Sequence, residues 1–240
     1  MKITLGDFHL TFDPSGKLAQ LTTDQSGPLL DGTAYRMDVG PSRHFEPRGW
    51  DECFPTIEPF EDSPVMGDLV AAAPAWSTAA QQCRQEWRTA RYTATRTFHA
   101  LSSNELEMIF SVQSHITGNL KFLWASHAIF STQGLQRVTF PDRSTLDDFT
   151  VNGTSRKSFK SNHGRVCLRG RDCEIHLQTD QPWWGVWNNR GGWPEGRPAG
   201  FGCLGIEATN CDADIPQGAV IPPGGRFEGR LQLKVMQADT

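Results

Sequence analysis

Residues Leu120–Phe130 read LKFLWASHAIF. Laid out as a strand, Leu123, Ala125, His127 and Ile129 share one side, and Phe122, Trp124, Ser126, Ala128 and Phe130 share the other. Both sides are largely apolar, which marks a strand covered on both faces. One imidazole stands in its middle. A buried histidine either satisfies both ring nitrogens or takes part in proton transfer, so the rest of the chain must decide what His127 does.

Around this stretch the chain is a succession of strands. FHLTF (8–12) alternates and is separated from Lys17–Thr22 by the turn Asp13-Pro14-Ser15-Gly16; ELEMIFSV (105–112) follows the turn Ser102-Ser103-Asn104. Arg84–His99 is rich in Thr with Arg interspersed, which suits a half-solvated sheet surface. FGCLGIEAT (201–209) puts Leu204, Ile206 and Ala208 on one face and Cys203, Gly205, Glu207 and Thr209 on the other. Arg226–Met236 alternates Phe227, Leu231, Leu233 and Val235 with polar residues. Residues 40–76 hold six prolines and little periodicity, so a long connection is expected there, carrying Arg48-Gly49-Trp50-Asp51-Glu52-Cys53-Phe54-Pro55. No window has a helical period of useful length. The pattern predicts one all-β domain over residues 1–240, a sandwich or barrel of many strands.

Composition narrows the function classes. With 38% hydrophobic residues, eight Trp and fourteen Phe, a sizeable core is available. A net charge of −4 gives neither a nucleic-acid-binding surface nor a polybasic membrane patch. No apolar run reaches transmembrane length and the N-terminal MKITLGDFHLTFDPSG lacks a signal-peptide pattern, so a soluble, cytoplasmic protein is expected. The six cysteines form no CxxC pair and are expected as free thiols. His163, Cys167, Cys173 and His176 invite a metal reading, but a hairpin turning at Gly170-Arg171 would place Cys173 opposite Leu168 and send the ligands to different faces; no metal is expected.

Two further features carry chemistry. Glu207 shares its strand face with Gly205, which would leave room beside the carboxylate, and with Thr209. It is either an exposed edge-strand glutamate or a base set against a proton donor, for which His127 is the candidate. PWWGVWNNRGGWP (182–194) holds four Trp beside Asn188 and Asn189. Such a cluster either packs a core or offers a flat apolar face and amide groups to a sugar ring. Trp50, Asp51 and Glu52 repeat the aromatic-plus-acid composition.

In this order LWASHAIF, GWDECFPTI, VWNNRGGWP and FGCLGIEATN resemble the galactose mutarotase-like superfamily of aldose 1-epimerases and relatives, closest to its bacterial branch with a GWDE-type loop. The resemblance spans about Arg48 to Cys211. It implies a β-supersandwich with a sugar cleft, Glu207 as general base and His127 as general acid, no cofactor, and a small-molecule sugar as partner. Arg48, Trp50, Asp51, Glu52, Met66, Trp187 and Asn188 are the residues then expected to line the substrate. One departure stands out: Met66, in SPVMGD, occupies the place of a second family histidine, and a thioether is a weak acceptor where imidazole would bind oxygen. His44 and His163 are the other loop histidines that could serve. The expected activity is interconversion of the anomers of an aldose. A sugar-binding protein without turnover and a phosphosugar epimerase using Arg43, Arg48, Arg190 and Arg197 are the alternatives.

Overall fold

Two large antiparallel sheets face each other across one apolar interior. The first has eight strands in the order Lys2–Leu5, Phe8–Phe12, Leu18–Thr23, Trp50–Cys53, Ala125–Ser131, Gly202–Thr209, Trp183–Arg190 and Thr154–Ser161. The second has nine: Thr145–Leu146, Leu135–Thr139, Val166–Gly170, Cys173–Thr179, Arg226–Gln237, Glu105–Ser114, Tyr92–Ala100, Gln82–Arg88 and Ala75–Ala79. This computed structural model describes residues 1–32, 37–40, 43–70, 72–193 and 201–238, the strands Met37–Gly40 and Arg43–Phe45 by their backbone only. Among the described residues there is no helix, and so none long and apolar enough to cross a membrane. The architecture is the expected all-β supersandwich.

Alternation places the core. Trp50, Trp184, Leu204 and Ile206 from the first sheet, with Trp124 just ahead of its central strand, meet Phe98, Phe110, Leu231 and Leu233 from the second. Trp124 stacks on Phe110 at 5.7 Å between ring centroids, and Trp50 meets Phe98 edge-on at 5.4 Å. Gly229 makes this possible, because a Cβ there would lie 2.4 Å from the Trp124 ring. On the outside of the second sheet, Thr93, Thr95, Thr97 and Ser111 sit among Arg84, Arg226 and Arg230, the half-solvated surface expected of them.

Three expectations are corrected. The key strand begins at Ala125, not at Leu120. Before it, the backbone N–H groups of Phe122 and Leu123 donate to the loop carbonyls of Ala219 and Pro55, and that of Trp124 donates to the Asn210 side chain. The supposed long connection contains a strand, Trp50–Cys53, pairing Asp51 with His127 and Cys53 with Ala125. Four residues are too few to announce themselves by alternation. The 166–179 hairpin pairs Arg169 with Glu174 and so turns at Arg171-Asp172. Cys167 therefore stands opposite His176, and their donor atoms lie with that of Glu174 within 4.8 Å of one another. His176 is already bonded at both ring nitrogens, to Glu174 at 2.5 Å and Arg165 at 3.1 Å, so the group reads as an ion-paired surface cluster. All six cysteines are free thiols.

Candidate functional site

The register of the first sheet builds the site. Asp51, His127, Glu207 and Gly185 stand directly opposite one another on four neighbouring strands, so they share one face, the one turned away from the core. His127 Nε2 lies 3.6 Å from Glu207 Oε1. His127 is 6% exposed and Glu207 not at all. Lys157, on the outermost strand, puts its Nζ 2.9 Å from Glu207 Oε2 and 2.6 Å from Asp214 Oδ1. At the other end of the row Lys17 pairs with Asp51 at 2.7 Å. A line of alternating charge thus crosses the sheet with the imidazole at its centre.

Burial and charge compete at each group. Burial pushes the Glu207 carboxyl up, but the Lys157 ammonium and then His127 outweigh it, and Glu207 is held below the usual carboxylate range. Burial also lowers His127, and the pull of Glu207 offsets only part of this, so His127 titrates below an ordinary histidine. The cluster therefore rests as an ionised carboxylate beside an imidazole that is mostly neutral at neutral pH.

Apolar walls flank the row. On one side Met66 packs with Cys53, Ile57, Val70, Leu123, Ala125 and Cys211. Its N–H donates to the Ile57 carbonyl at 2.6 Å, and Gly67 follows with φ +76°, its Cα under the Phe54 carbonyl with no space for a Cβ. Asp68 ties the loop down by accepting from Arg91 at 2.6 Å and Tyr92 Oη at 2.9 Å. On the other side Trp187 lies 6.2 Å from the His127 ring, nearly parallel to it, and meets Trp193 edge-on at 5.2 Å. Asn189 accepts from the Trp193 N–H at 3.0 Å and donates to the carbonyls of Trp193 and Phe201.

Of the residues expected to line a substrate, the structure brings Asp51, Met66 and Trp187 to the face that carries His127 and Glu207. Trp50 and Glu52 are corrections. Alternation turns them inward, where Trp50 Nε1 donates to Ser126 Oγ at 2.7 Å and Glu52 accepts from Trp124 Nε1 at 2.7 Å and faces Arg96 at 3.5 Å. Asn188 is corrected by the same parity: it stands opposite Leu204 on the core side, and its neighbour Asn189 takes the outer face. Arg48 is held by Glu46 at 2.6 Å and is not joined to the row by any described contact. Arg197 and the side chains of Arg43 and His44 lie outside the described residues, and His163 is exposed.

Sequence reading missed Lys157, Asp214 and Lys17, since nothing local marks a lysine as buried against a distant carboxylate. It also misassigned the glycine that makes room for Glu207. A Cβ on Gly205 would meet Ile129 and Trp187 at 3.2 Å, whereas one on Gly185 would lie 2.9 Å from Glu207 Oε2.

No family model matches the chain, and no curated protein does. Solved structures do. A galactose mutarotase-like protein from Lactobacillus casei superposes with a TM-score of 0.68 at 14% identity, covering 98% of this chain and 99% of that one. A galactose mutarotase related enzyme from Lactobacillus acidophilus gives 0.68 at 14% identity, covering 100% and 97%. A galactose mutarotase-like protein from Clostridium acetobutylicum gives 0.65 at 9% identity, covering 99% and 95%. At such identities the likeness establishes the fold alone, the one these galactose mutarotase-like proteins share.

Proposed function

We propose that this galactose mutarotase-like chain is an aldose 1-epimerase that interconverts the anomers of a pyranose by general acid–base ring opening, with Glu207 as base and His127 as acid. The observation that carries the reading is their placement on one row of one sheet face, 3.6 Å apart, between the aromatic wall of Trp187 and the apolar wall of Met66. Glu207 takes the proton from the C1 hydroxyl while imidazolium His127 gives its proton to the ring oxygen. The C1–O5 bond breaks, C1 becomes an aldehyde carbon, and rotation about C1–C2 presents its other face. Closure runs the transfers backwards, with His127 as base and Glu207 as acid, so the pair regenerates itself. Only protons move, and the reaction requires no cofactor. The six free thiols fit a reducing compartment, in keeping with the cytoplasm.

The test is saturation-transfer NMR across free and phosphorylated aldoses, which reports binding and anomer exchange together. Acceleration of exchange for a free aldose supports the reading. A second reading, sugar binding without turnover, is favoured by Met66 and by the complete burial of Glu207. Saturable binding with exchange at the uncatalysed rate would select it. Against phosphosugar binding, Arg190 is engaged by Asp148 at 2.6 Å and Arg48 by Glu46. Tighter binding of a hexose 6-phosphate than of the free hexose would restore that alternative.

The pH dependence has a definite sign. The working form needs Glu207 ionised and His127 protonated, so it exists above the Glu207 pKa and below that of His127. The first is held below 4.5 and the second below 6.5. The profile of kcat/KM is thus a bell lying wholly on the acid side, already falling by pH 7. A maximum above pH 7 would contradict the assigned roles.

Gly185 supplies another expectation. A methyl group there would press on Glu207 Oε2 and tilt the carboxylate. Gly185→Ala should lower kcat/KM about 10- to 100-fold while circular dichroism stays that of the parent. An unchanged rate would mean that the carboxylate has more freedom than its packing implies.

A further inference from the structure

We propose that Lys157 is a positioning residue of this site: its ammonium group, shared between Glu207 and Asp214, clamps the Glu207 carboxylate at rest and is kept by Asp214 alone when a sugar hydroxyl takes its place on Oε2. The inference rests on the epimerase reading above and adds a residue that acts through Glu207 rather than on the sugar.

The geometry carries it. Glu207 has no exposure, and among the described residues the group that meets its carboxylate most closely is a cation. Its charge is compensated by Lys157 Nζ at 2.9 Å. That same Nζ lies 2.6 Å from Asp214 Oδ1, so one cation stands between two anions. The Lys157 side chain is 21% exposed and ends a flexible four-carbon stem, so it can move relative to the fully buried Glu207. Asp214 is anchored through its backbone, its side chain being 29% exposed. Its carbonyl accepts from the N–H groups of Ile57 at 3.1 Å and Glu58 at 2.9 Å, and from Thr56 Oγ1 at 3.3 Å. A hydroxyl approaching Oε2 meets Nζ first, and the ammonium can yield without losing an ionic partner, because Asp214 already lies 2.6 Å from it on the other side.

Among the described residues, the other charged or titratable groups facing Glu207 are His127 from the adjacent strand, the Cys53 thiol, which feels Glu207 more than Asp51, and, farther along the row, Asp51 with its partner Lys17. His127 Nε2 lies 3.6 Å from the carboxylate. Burial alone would lower Lys157, but the two carboxylates together hold it well above an ordinary lysine. It is therefore a permanent ammonium, suited to steering a carboxylate and unsuited to nucleophilic attack.

The experiment compares Lys157→Met, Lys157→Arg and Asp214→Asn in the full chain. It measures kcat/KM against pH for the aldose found by the screen, and titrates the Glu207 carboxyl carbon by carbon-13 NMR in the absence of sugar. In Lys157→Met the acid limb and the carboxyl titration should both move up by about one pH unit or more. Lys157→Arg should keep both near the parent. Asp214→Asn leaves the ammonium to Glu207, so its titration should move down and kcat/KM should fall about tenfold at the optimum, for the cation then has no second carboxylate to retire to. Unmoved titrations in Lys157→Met and Asp214→Asn would overturn the proposal. If Lys157→Met does not fold, the downward shift in Asp214→Asn decides it. The two failures stay separable: an active Glu207→Gln variant sinks the epimerase reading whatever Lys157 does, whereas an inactive Glu207→Gln with unmoved titrations in the lysine series sinks this inference alone.

Discussion

Exchanging Glu207 for Gln should lower kcat/KM for anomer exchange about 10³-fold, in the middle of the 10²–10⁴ that a positioned general base contributes. The amide has the size of the carboxylate and fits the same slot beside Gly185, so packing is preserved. What disappears is the basicity that removes the C1 proton and the negative charge that draws His127 upward. His127→Asn removes the donor to the ring oxygen and should cost about 10²-fold or more. Both variants are to be measured by polarimetry or exchange NMR beside a thermal melt. Rates equal to the parent in either would end the assignment of that residue, and rates equal to the parent in both would leave the fold with a different use.

The largest effect on stability is expected at Glu52. Its carboxylate lies 3.5 Å from the Arg96 guanidinium, both side chains 1% exposed, and it accepts from Trp124 Nε1 at 2.7 Å and Ser126 Oγ at 3.2 Å. Arg96 also donates to Gln85 and to the carbonyls of Trp50 and Gly16, so the group ties both sheets together. Glu52→Ala leaves a buried cation and an indole N–H without their acceptor and should cost about 3–5 kcal/mol, read as a fall in the urea midpoint. Burial raises the Glu52 carboxyl from 4.5 to about 7, against the opposing pull of Arg96, Trp124 and Ser126. A raised carboxyl binds its proton more tightly in the folded state, so this group's contribution weakens as pH rises from 4.5 to 7 and is level beyond. That slope should be missing from the variant. Unchanged stability with a raised KM would instead return Glu52 to the sugar.

The strands that could be read from the sequence were those long enough to alternate. FHLTF, ELEMIFSV, FGCLGIEAT and the closing strand all appear where the pattern puts them. His127 and Glu207 were legible for the same reason, since parity fixed the face of each and the resemblance paired them. Failures cluster where parity had no anchor. WDEC is one turn of alternation long, so its inward residues Trp50 and Glu52 were indistinguishable from Asp51. In WNN the choice between Asn188 and Asn189 hung on one residue of register. Lys157 sits in TSRKSFKS, whose half-buried faces give no apolar rhythm, and its partner Asp214 comes from a loop far along the chain. Contacts of that kind are set by strand order, which local pattern does not encode.

The four residues of WDEC have one more consequence, for motion. Trp50 and Glu52 anchor the strand in the interior while Asp51 and Cys53 face the other way. The backbone that presents Asp51 to His127 cannot loosen without opening the core. Amide hydrogens along Trp50–Cys53 and the facing Ala125–Ala128 segment should therefore exchange only through global unfolding, in step with those of Phe98 and Phe110. The floor of the site melts with the whole molecule, and the adjustment that admits a ligand falls to the side chains lying over it.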